Sequence, residues 1–346
     1  GDGKRAESRV LRRRSEPRPA RAGAGDGRRA EFEGPAAGRL EGFMQRDRKI
    51  GWAVVGCGRV TDRRAAPVFS KIEGAELVAF CSRDLSKARA FCTRYGALRA
   101  YDSLDDLLRD GSVQAVYIAT PNACHAEQAG RCLAAGKHVL VDKPMATNVQ
   151  AAATMVEAAR RAGRQLGVMQ QQRVHPPHMH LIRLRDEGAL GKLNLLRVQI
   201  AMWYPPAGNW RETPELSGGG VTIDLAPHAL DMLFELGGEV RRVDARMWNL
   251  QFPGPVEDFC HARLEFADGA LGLMELAYCA HHYGGRIEAF GSEATFIADG
   301  SMQAAEEYYT RFRRGSAIAP MCPEVSTTDC FQAAIEDFTD AVLHGG

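Results

Sequence analysis

The chain has 346 residues, 45% of them hydrophobic and 25% charged, and a formal net charge of +1. That length suits about two domains, and no apolar run approaches the roughly 20 residues of a membrane span, so no membrane partner is expected. Nine cysteines without a C-x-x-C pair read as the reduced thiols of a cytoplasmic protein rather than a disulfide frame or a zinc ribbon.

Charge is unevenly spread. Residues 1–49 hold 14 Lys+Arg against 8 Asp+Glu, with few large apolar side chains. Such a segment cannot bury enough surface to offset its ordering entropy, so it is expected to be a disordered or non-native extension, with Met44 as a candidate true start. It contains no apolar stretch of the kind a secretory signal needs. The remainder is slightly acidic, at −5, and gives no reason to expect a nucleic-acid partner.

From Ile50 the elements alternate. Ile50–Val55 is a short apolar run suited to a buried strand. Gly56-Cys57-Gly58 turns tightly, and a helix pattern follows with Ala65, Ala66, Val68 and Phe69 on its apolar side. Strand, glycine turn and helix together offer backbone N–H groups and a helix N-terminus to a pyrophosphate, which makes Gly56, Cys57, Gly58, Arg59 and Val60 candidate cofactor contacts. The third fingerprint position is Thr61 where Gly or Ala is usual, so the match is incomplete.

Leu77–Cys81 reads as the second strand. The residue that recognises the adenosine ribose follows such a strand, and an NAD site usually places an acid there. Here the strand runs into Ser82-Arg83. Ser82 can donate to a 2′-phosphate, and Arg83 can pair with it or stack on adenine. Asp84 comes two residues later and can instead cap the next helix, so NADP is expected in preference to NAD. Helices follow at Asp84–Tyr95, with Ala88, Phe91 and Cys92 on one side, and at Leu104–Leu108. Next come a strand at Ala115–Ala119, a helix at His125–Ala135 and a strand at His138–Val141. A helix at Thr147–Gly163, with Val149, Ala153 and Val156 aligned, and a strand at Gln165–Met169 complete this part. Strands separated by helices imply a parallel sheet with right-handed crossovers, an α/β Rossmann domain over residues 50–171.

Beyond it the pattern changes. A helix around His178–Glu187 precedes strand-like runs at Leu193–Tyr204, Val240–Phe252, Phe259–Phe266, Ala270–Cys279, Arg286–Gly291 and Thr295–Ala298. Glu306–Arg313 is a weaker candidate, and Phe331–Leu343 reads as a final helix. Asp268-Gly269 is a hairpin signal. Strands without intervening helices imply a separate α+β domain over 172–346 with a large open antiparallel sheet.

Three stretches carry chemistry. Thr120, Pro121 and Asn122, followed by His125, sit at the carboxyl end of a parallel strand, where ligands bind in such sheets; alone, they equally suit a polar strand-to-helix loop. Asp142-Lys143-Pro144 ends the next strand, and the Lys143 ammonium there could hold a substrate hydroxyl. In Ser217–Asp231, Pro227 lacks a donor and is expected within the first four helical positions, which starts a helix near Asp224–Pro227. Asp224 and His228 then share one face, an acid positioned to orient an imidazole that titrates near neutrality. Gln172 and Arg173, in the segment joining the domains, are candidates for lining the cleft. His175, His178 and His180 do not read as a metal site, because Pro176-Pro177 breaks the helical spacing and no cysteine is adjacent.

Taken in order, the GCGRV turn, ATPN-x-x-H, D-K-P in place of E-K-P, and GGG-x-x-x-D-x-x-x-H resemble the glucose-fructose oxidoreductase/inositol dehydrogenase (Gfo/Idh/MocA) family from about Ile50 onward. The resemblance implies NAD(P)-linked hydride transfer to or from a hydroxyl of a sugar, polyol or related compound, with Lys143, Asp224 and His228 as the catalytic set. His228 would accept the proton, Lys143 would hold the reacting oxygen and Asp224 would assist. Thr120, Pro121, Asn122, His125, Asp142, Lys143 and Arg173 would surround the cofactor. Trp203, Tyr204, Trp210 and Arg211 would reach the substrate cleft, with Trp210 and Arg211 as substrate contacts. The Lys143–Pro144 bond is often cis in that family. A homodimer or homotetramer through the C-terminal sheet is implied, as is at least one helix beyond Phe331–Leu343. The rival expectation is a non-catalytic NADP(H)-binding sensor or scaffold, which need not keep Lys143, Asp224 and His228 together.

Overall fold

The computed structural model describes residues 49–302, 307–315, 322–325 and 329–345; of the N-terminal extension, only Lys49 lies among them. The first sheet has six parallel strands: β1 (Ile50–Val55), β2 (Ala75–Cys81), β3 (Arg99–Tyr101), β4 (Ala115–Ile118), β5 (His138–Val141) and β6 (Leu166–Val168). Their order is β3-β2-β1-β4-β5-β6, a doubly wound sheet whose direction of winding reverses between β1 and β4. Successive side chains leave on opposite faces. Trp52 and Val54 join Phe80 and Tyr117 in one apolar cluster, while Ala53 and Val55 join Val116 and Ile118 in another. Burial on both faces is why β1 is a continuous apolar run. β3 was not legible, because its three residues are exposed or half-buried and carry no apolar pattern.

Helices α1 (Leu85–Tyr95), α2 (Leu104–Arg109), α3 (His125–Ala134) and α4 (Val149–Ala162) link the strands. Asp84 caps α1 by accepting from the Ser86 and Lys87 backbone N–H groups. Two expectations need correction. In α4, Val149 and Ala153 face solvent, and Met155 and Ala159 are the buried positions. The helix expected after the glycine turn is irregular: a wide π-type turn over Thr61–Ala65 passes into a tight 3₁₀ segment over Ala66–Lys71. Pro67 there cannot donate to an i−4 carbonyl. Its apolar side nevertheless buries Ala65, Ala66, Val68 and Phe69 as expected.

The second sheet has eight strands: β7 (Leu193–Trp203), β8 (Val240–Trp248), β9 (Phe259–Phe266), β10 (Leu271–Ala277), β11 (Cys279–Gly291), β12 (Ala294–Asp299), β13 (Glu307–Arg314) and β14 (Cys322–Val325). Their order is β14-β13-β12-β11-β7-β10-β9-β8. All adjacent pairs are antiparallel except β7 with β10, which is parallel. The chain leaves β10 on one side of β7 and re-enters as β11 on the other, and Tyr278 lies at that crossing. β8 ends four residues before the expected Phe252, because the Leu250, Gln251 and Phe252 N–H groups turn to the Asp258 carboxylate. Helix α5 (Pro176–Asp186), the short α6 (Pro214–Ser217) and α7 (Val221–Gly237) accompany this sheet. Leu181, Leu225, Ala229 and Leu233 pack with Leu196, Val198, Leu264 and Met274 on one of its faces. Pro176 and Pro177 open α5 rather than interrupt it, since donors are not needed in the first turn.

The last helix, α8 (Cys330–His344), departs from the expected domain division. Phe331, Ile335 and Phe338 join the Trp52 cluster of the first sheet, with the Phe338 and Trp52 ring centroids 5.6 Å apart. The Thr61–Lys71 segment and α1 pack on this same face, and α8 completes the cover over Trp52 and Phe69. Replacing Phe338 by Ala is expected to cost about 3–5 kcal/mol in denaturant unfolding; a loss below about 1 kcal/mol would show that α8 does not belong to this core.

Candidate active site

The glycine turn lies at the switch point of the first sheet. Gly56 has φ +108°, and a Cβ there would come 2.5 Å from the Ala119 carbonyl oxygen, so only glycine lets β1 and β4 end side by side. At Gly58 a Cβ would meet nothing within 4 Å, which leaves the backbone open to a ligand. Thr61, the departure from the fingerprint, is buried and donates its hydroxyl to the Gly56 carbonyl at 2.6 Å, closing the turn from inside. Burial pushes the Cys57 thiol up to about 12, which keeps it neutral. An open backbone leading into a helical segment, with Arg59 and Arg64 beside it, fits a pyrophosphate. The Gly56 N–H donates to Cys81 O at 2.9 Å, which puts Ser82 and the exposed Arg83 next to the turn. The Asp84 carboxylate is occupied at the start of α1.

Thr120, Asn122, Asp142 and Lys143 lie along the carboxyl edge of β4 and β5, and all four line one cavity with Gly58, Arg59 and Val60. Pro121 opens the turn into α3. Asn122 Nδ2 donates to the Ser217 carbonyl at 2.8 Å, fastening this edge to the glycine tract before α7. His125 does not reach the cavity: its ring nitrogens face the Pro144 carbonyl at 2.8 Å and the Thr120 carbonyl at 2.9 Å, so it braces the two loops. The Lys143–Pro144 bond is cis. Asp142 accepts the Lys143 N–H at 2.8 Å. Burial raises the Asp142 carboxyl, against the opposing charges of Lys143 and His125.

Helix α7 starts three residues before Asp224, earlier than Pro227 suggested. Glu257 explains this. Its carboxylate accepts from the Gly220 and Thr222 N–H groups at 3.0 Å each, and its carbonyl accepts from Val221 N–H at 2.9 Å. A partner distant in sequence thus supplies the acceptors a helix start requires, and Pro227 sits inside the helix. The close approach needs glycine, since a Cβ on Gly220 would lie 2.0 Å from the Glu257 carbonyl oxygen.

Asp224 is the hub of the site. Lys143 Nζ donates to its Oδ1 at 2.6 Å and to its backbone carbonyl at 2.7 Å. The Tyr278 hydroxyl donates to Oδ2, and Arg211 Nε stands 3.6 Å from that same oxygen. Burial raises this carboxyl, but the Lys143 and Arg211 charges and the hydrogen bonds outweigh it and hold the group well below the usual carboxylate range. Asp224 therefore anchors Lys143 instead of orienting His228, as the spacing had suggested. His228 Nδ1 is buried and has no hydrogen-bond partner among the described residues. Burial, then the Lys143 charge, push the imidazole down to about 3, so it is neutral. Tyr278 escaped the sequence reading, since nothing in a strand pattern shows that the chain crosses β7 at that residue.

Trp210 and Arg211 line the cavity, with the guanidinium 4.5 Å from the indole centroid. Trp203 and Tyr204 do not line it. Strand alternation turns Ile200 and Met202 inward, and Trp203 stacks on His281 at 3.7 Å instead. Arg173 is also elsewhere, bound through two nitrogens to the Asp231 carboxylate at 2.7 and 2.8 Å. Gln172 lines the cavity, and so does Gln171, which the sequence reading did not single out. Among the described residues no group of three His, Cys, Asp or Glu side chains could hold a metal ion.

The cavity measures about 300 Å³ and is bounded by the glycine turn at one side and by Lys143, Asp224 and His228 at the other. Residues 50–170 match the model of the oxidoreductase family with an NAD-binding Rossmann fold (GFO_IDH_MocA), and residues 178–297 match the GFO/IDH/MocA C-terminal domain. The chain belongs to the Gfo/Idh/MocA oxidoreductase family. Among its relatives, an uncharacterised oxidoreductase of Rhizobium meliloti is 34% identical over 86% of this chain and 90% of that protein. A 1,5-anhydro-D-fructose reductase of Ensifer adhaerens is 28% identical over 84% of this chain and 87% of that protein. Oxidoreductase P35 of Formosa agariphila is 33% identical over 56% of this chain, a stretch that covers 63% of that protein. The structure is similar to an aldose-aldose oxidoreductase from Caulobacter crescentus complexed with glycerol (TM-score 0.79, 27% identity, 86% of this chain and 90% of that one). It is also similar to a point mutant of a 3-ketoreductase from Actinomadura kijaniata in complex with TDP-benzene and NADP (TM-score 0.76, 26% identity, 86% of this chain and 90% of that one). As a Gfo/Idh/MocA member the chain is an NAD(P)-dependent oxidoreductase.

His178 behaves like His228: burial pushes it down to about 3, and its nitrogens meet Gln172 O at 2.7 Å and Ser301 Oγ at 3.2 Å. A histidine whose folded value lies below its unfolded one loses stability as pH falls, because below about 6.5 the unfolded chain takes up a proton that the folded one refuses. Each such group should cost about 2 kcal/mol between pH 7 and 5. Urea unfolding at the two pH values is expected to show a wild-type loss about 2 kcal/mol larger than that of His178→Gln; equal losses would refute the assignment.

Proposed function

We propose that this enzyme uses NADP(H), in preference to NAD(H), to interconvert a hydroxyl and a carbonyl on a sugar, polyol or related compound. The observation that carries the reading is the convergence of Lys143, Asp224 and His228 on the cavity that the glycine turn also borders. Sugar-acting relatives and neighbours, the 1,5-anhydro-D-fructose reductase and the aldose-aldose oxidoreductase, support the substrate class. Gly56–Val60 would hold the pyrophosphate through backbone N–H groups, Ser82 and Arg83 the adenosine 2′-phosphate, and Thr120, Asn122 and Asp142 would border the nicotinamide end. When bound, the cofactor accepts or supplies the hydride.

The protein's own part is positioning and proton transfer. A lysine ammonium has three N–H donors, and Lys143 uses two on Asp224. The third goes to the reacting oxygen. Its charge stabilises the oxyanion as the hydroxyl proton leaves, which lets neutral His228 take that proton although burial and the same charge lower its basicity. In the reductive direction the same step runs backward, and the proton passes through His228 to the developing alkoxide, by far the stronger base. Asp224, held by Tyr278 and Arg211 as well, keeps the ammonium in place.

The protein is read as cytoplasmic and as a homodimer or homotetramer. The open face of the second sheet supports the assembly: half-buried Leu195, Leu273 and Ile297 lie among the Arg197–Glu288 and Arg286–Asp299 ion pairs. Light scattering of the purified protein is the measure of it.

Lys143→Met should lower kcat with NADP⁺ and a polyol panel by about 10²-fold or more while NADPH binding changes little; turnover at the wild-type rate would remove Lys143 from the mechanism. In fluorescence titrations Arg83→Ala should weaken NADPH by about tenfold and leave NADH within about twofold. Tighter NADH than NADPH binding by the wild type would overturn the cofactor preference.

A further inference from the structure

At the cavity wall the side-chain oxygens of two amides have no hydrogen-bond partner among the described residues. Gln171 and Gln172 begin the tight turn Gln171–Val174 after β6, and both line the cavity. Gln172 is only 4% exposed, and the side-chain oxygens of both residues are buried and unpaired. Burying an unpaired amide costs free energy that an apolar side chain of similar size would not. Such a cost points to a partner beyond the described residues, and the cavity in front of both amides offers a ligand that place.

Their surroundings indicate which partner. The Gln172 carbonyl accepts from His178, and Gln170 Nε2 donates to the carbonyl of Pro227, the residue before His228, at 3.4 Å. The turn therefore lies on the His228 side of the cavity. Ile200, Met202 and Met302 provide apolar surface in the same cavity. A polyol ring has hydroxyls around its edge and C–H surface on its faces. A hydroxyl both donates and accepts, and an amide that no other group orients can turn either its oxygen or its nitrogen toward it.

We propose that Gln171 and Gln172 form a subsite for the hydroxyl next to the reacting carbon, so that the substrate is a vicinal diol or polyol rather than an isolated alcohol. This rests on the hydride-transfer reading above. A site built to hydrogen-bond a hydroxyl rejects the analogue that lacks it, because its own polar groups are then left unpaired.

The test compares trans-1,2-cyclohexanediol with cyclohexanol, using NADP⁺ and the wild type or Gln172→Met. The wild type should favour the diol in kcat/KM by about tenfold or more, and the variant should bring the ratio within about twofold of one. NADPH affinity should stay within about twofold, and Tm should hold or rise, because methionine fills the space without an unpaired amide. A wild-type ratio near one overturns the proposal. So does a variant Tm lower by several degrees, which would mean the amide is structurally bonded, or a lost NADPH affinity, which would assign it to the cofactor. If neither alcohol turns over, calorimetry with NADP⁺ present decides. Diol binding by the wild type that the variant loses supports the subsite and counts against hydride transfer alone, whereas no diol binding overturns the subsite.

Discussion

The site depends on one ion pair. Lys143 comes from the edge of the first sheet and Asp224 from the first turns of α7, 81 residues later, and they meet at 2.6 Å with both side chains largely out of solvent. A buried pair of this kind is weak evidence for net stability, since desolvating both charges offsets much of their attraction; removing one partner, by contrast, costs about 3–5 kcal/mol. What the pair secures is position. Asn122 on Ser217, Glu257 at the start of α7 and His125 between two loop carbonyls all act on the geometry in which these two charges meet.

The pair also sets the protonation states around it. Burial first, and then the Lys143 cation, disfavour charge on the imidazole, so His228 is neutral while Asp224 remains ionised. An acceptor for a proton, a donor for an oxyanion and a counter-ion that orders the donor thus follow from a few charges at short range and low solvent exposure. Tyr278 and Arg211 complete the coordination of Asp224, which acts on His228 through its charge and not through a hydrogen bond.

Much of this was legible in the sequence because it depends on local periodicity. β1, the glycine turn, the α1 cap at Asp84 and the placing of Asp224 and His228 on one helix each announce themselves within a few residues. What escaped depends on contacts between distant segments. Glu257 moves the start of α7 to Val221, and the crossing over β7 delivers Tyr278 to Asp224. Pairing geometry makes one neighbour of β7 parallel, where alternating strands suggested none. Arg173 pairs with Asp231 and His125 with two carbonyls because partners placed by folding compete with the ligand-facing roles their residue types suggest. Trp203 was misplaced for a simpler reason, since it stands one residue out of phase with Met202 on the same strand.

The return of α8 to the Trp52 face has a consequence for the order of assembly. The whole second sheet is threaded between β6 and α8, an insertion within the architecture of the first. A chain emerging from the ribosome can pair β1 through β6 early and cover part of this face with the Thr61–Lys71 segment and α1, but the patch around Trp52 stays open until the residues from Cys330 onward have been synthesised. The two sheets are therefore not free to mature one after the other, as domains joined by a simple linker can; the nucleotide-facing half reaches its final packing only when its last helix, made after the other half, closes over Trp52.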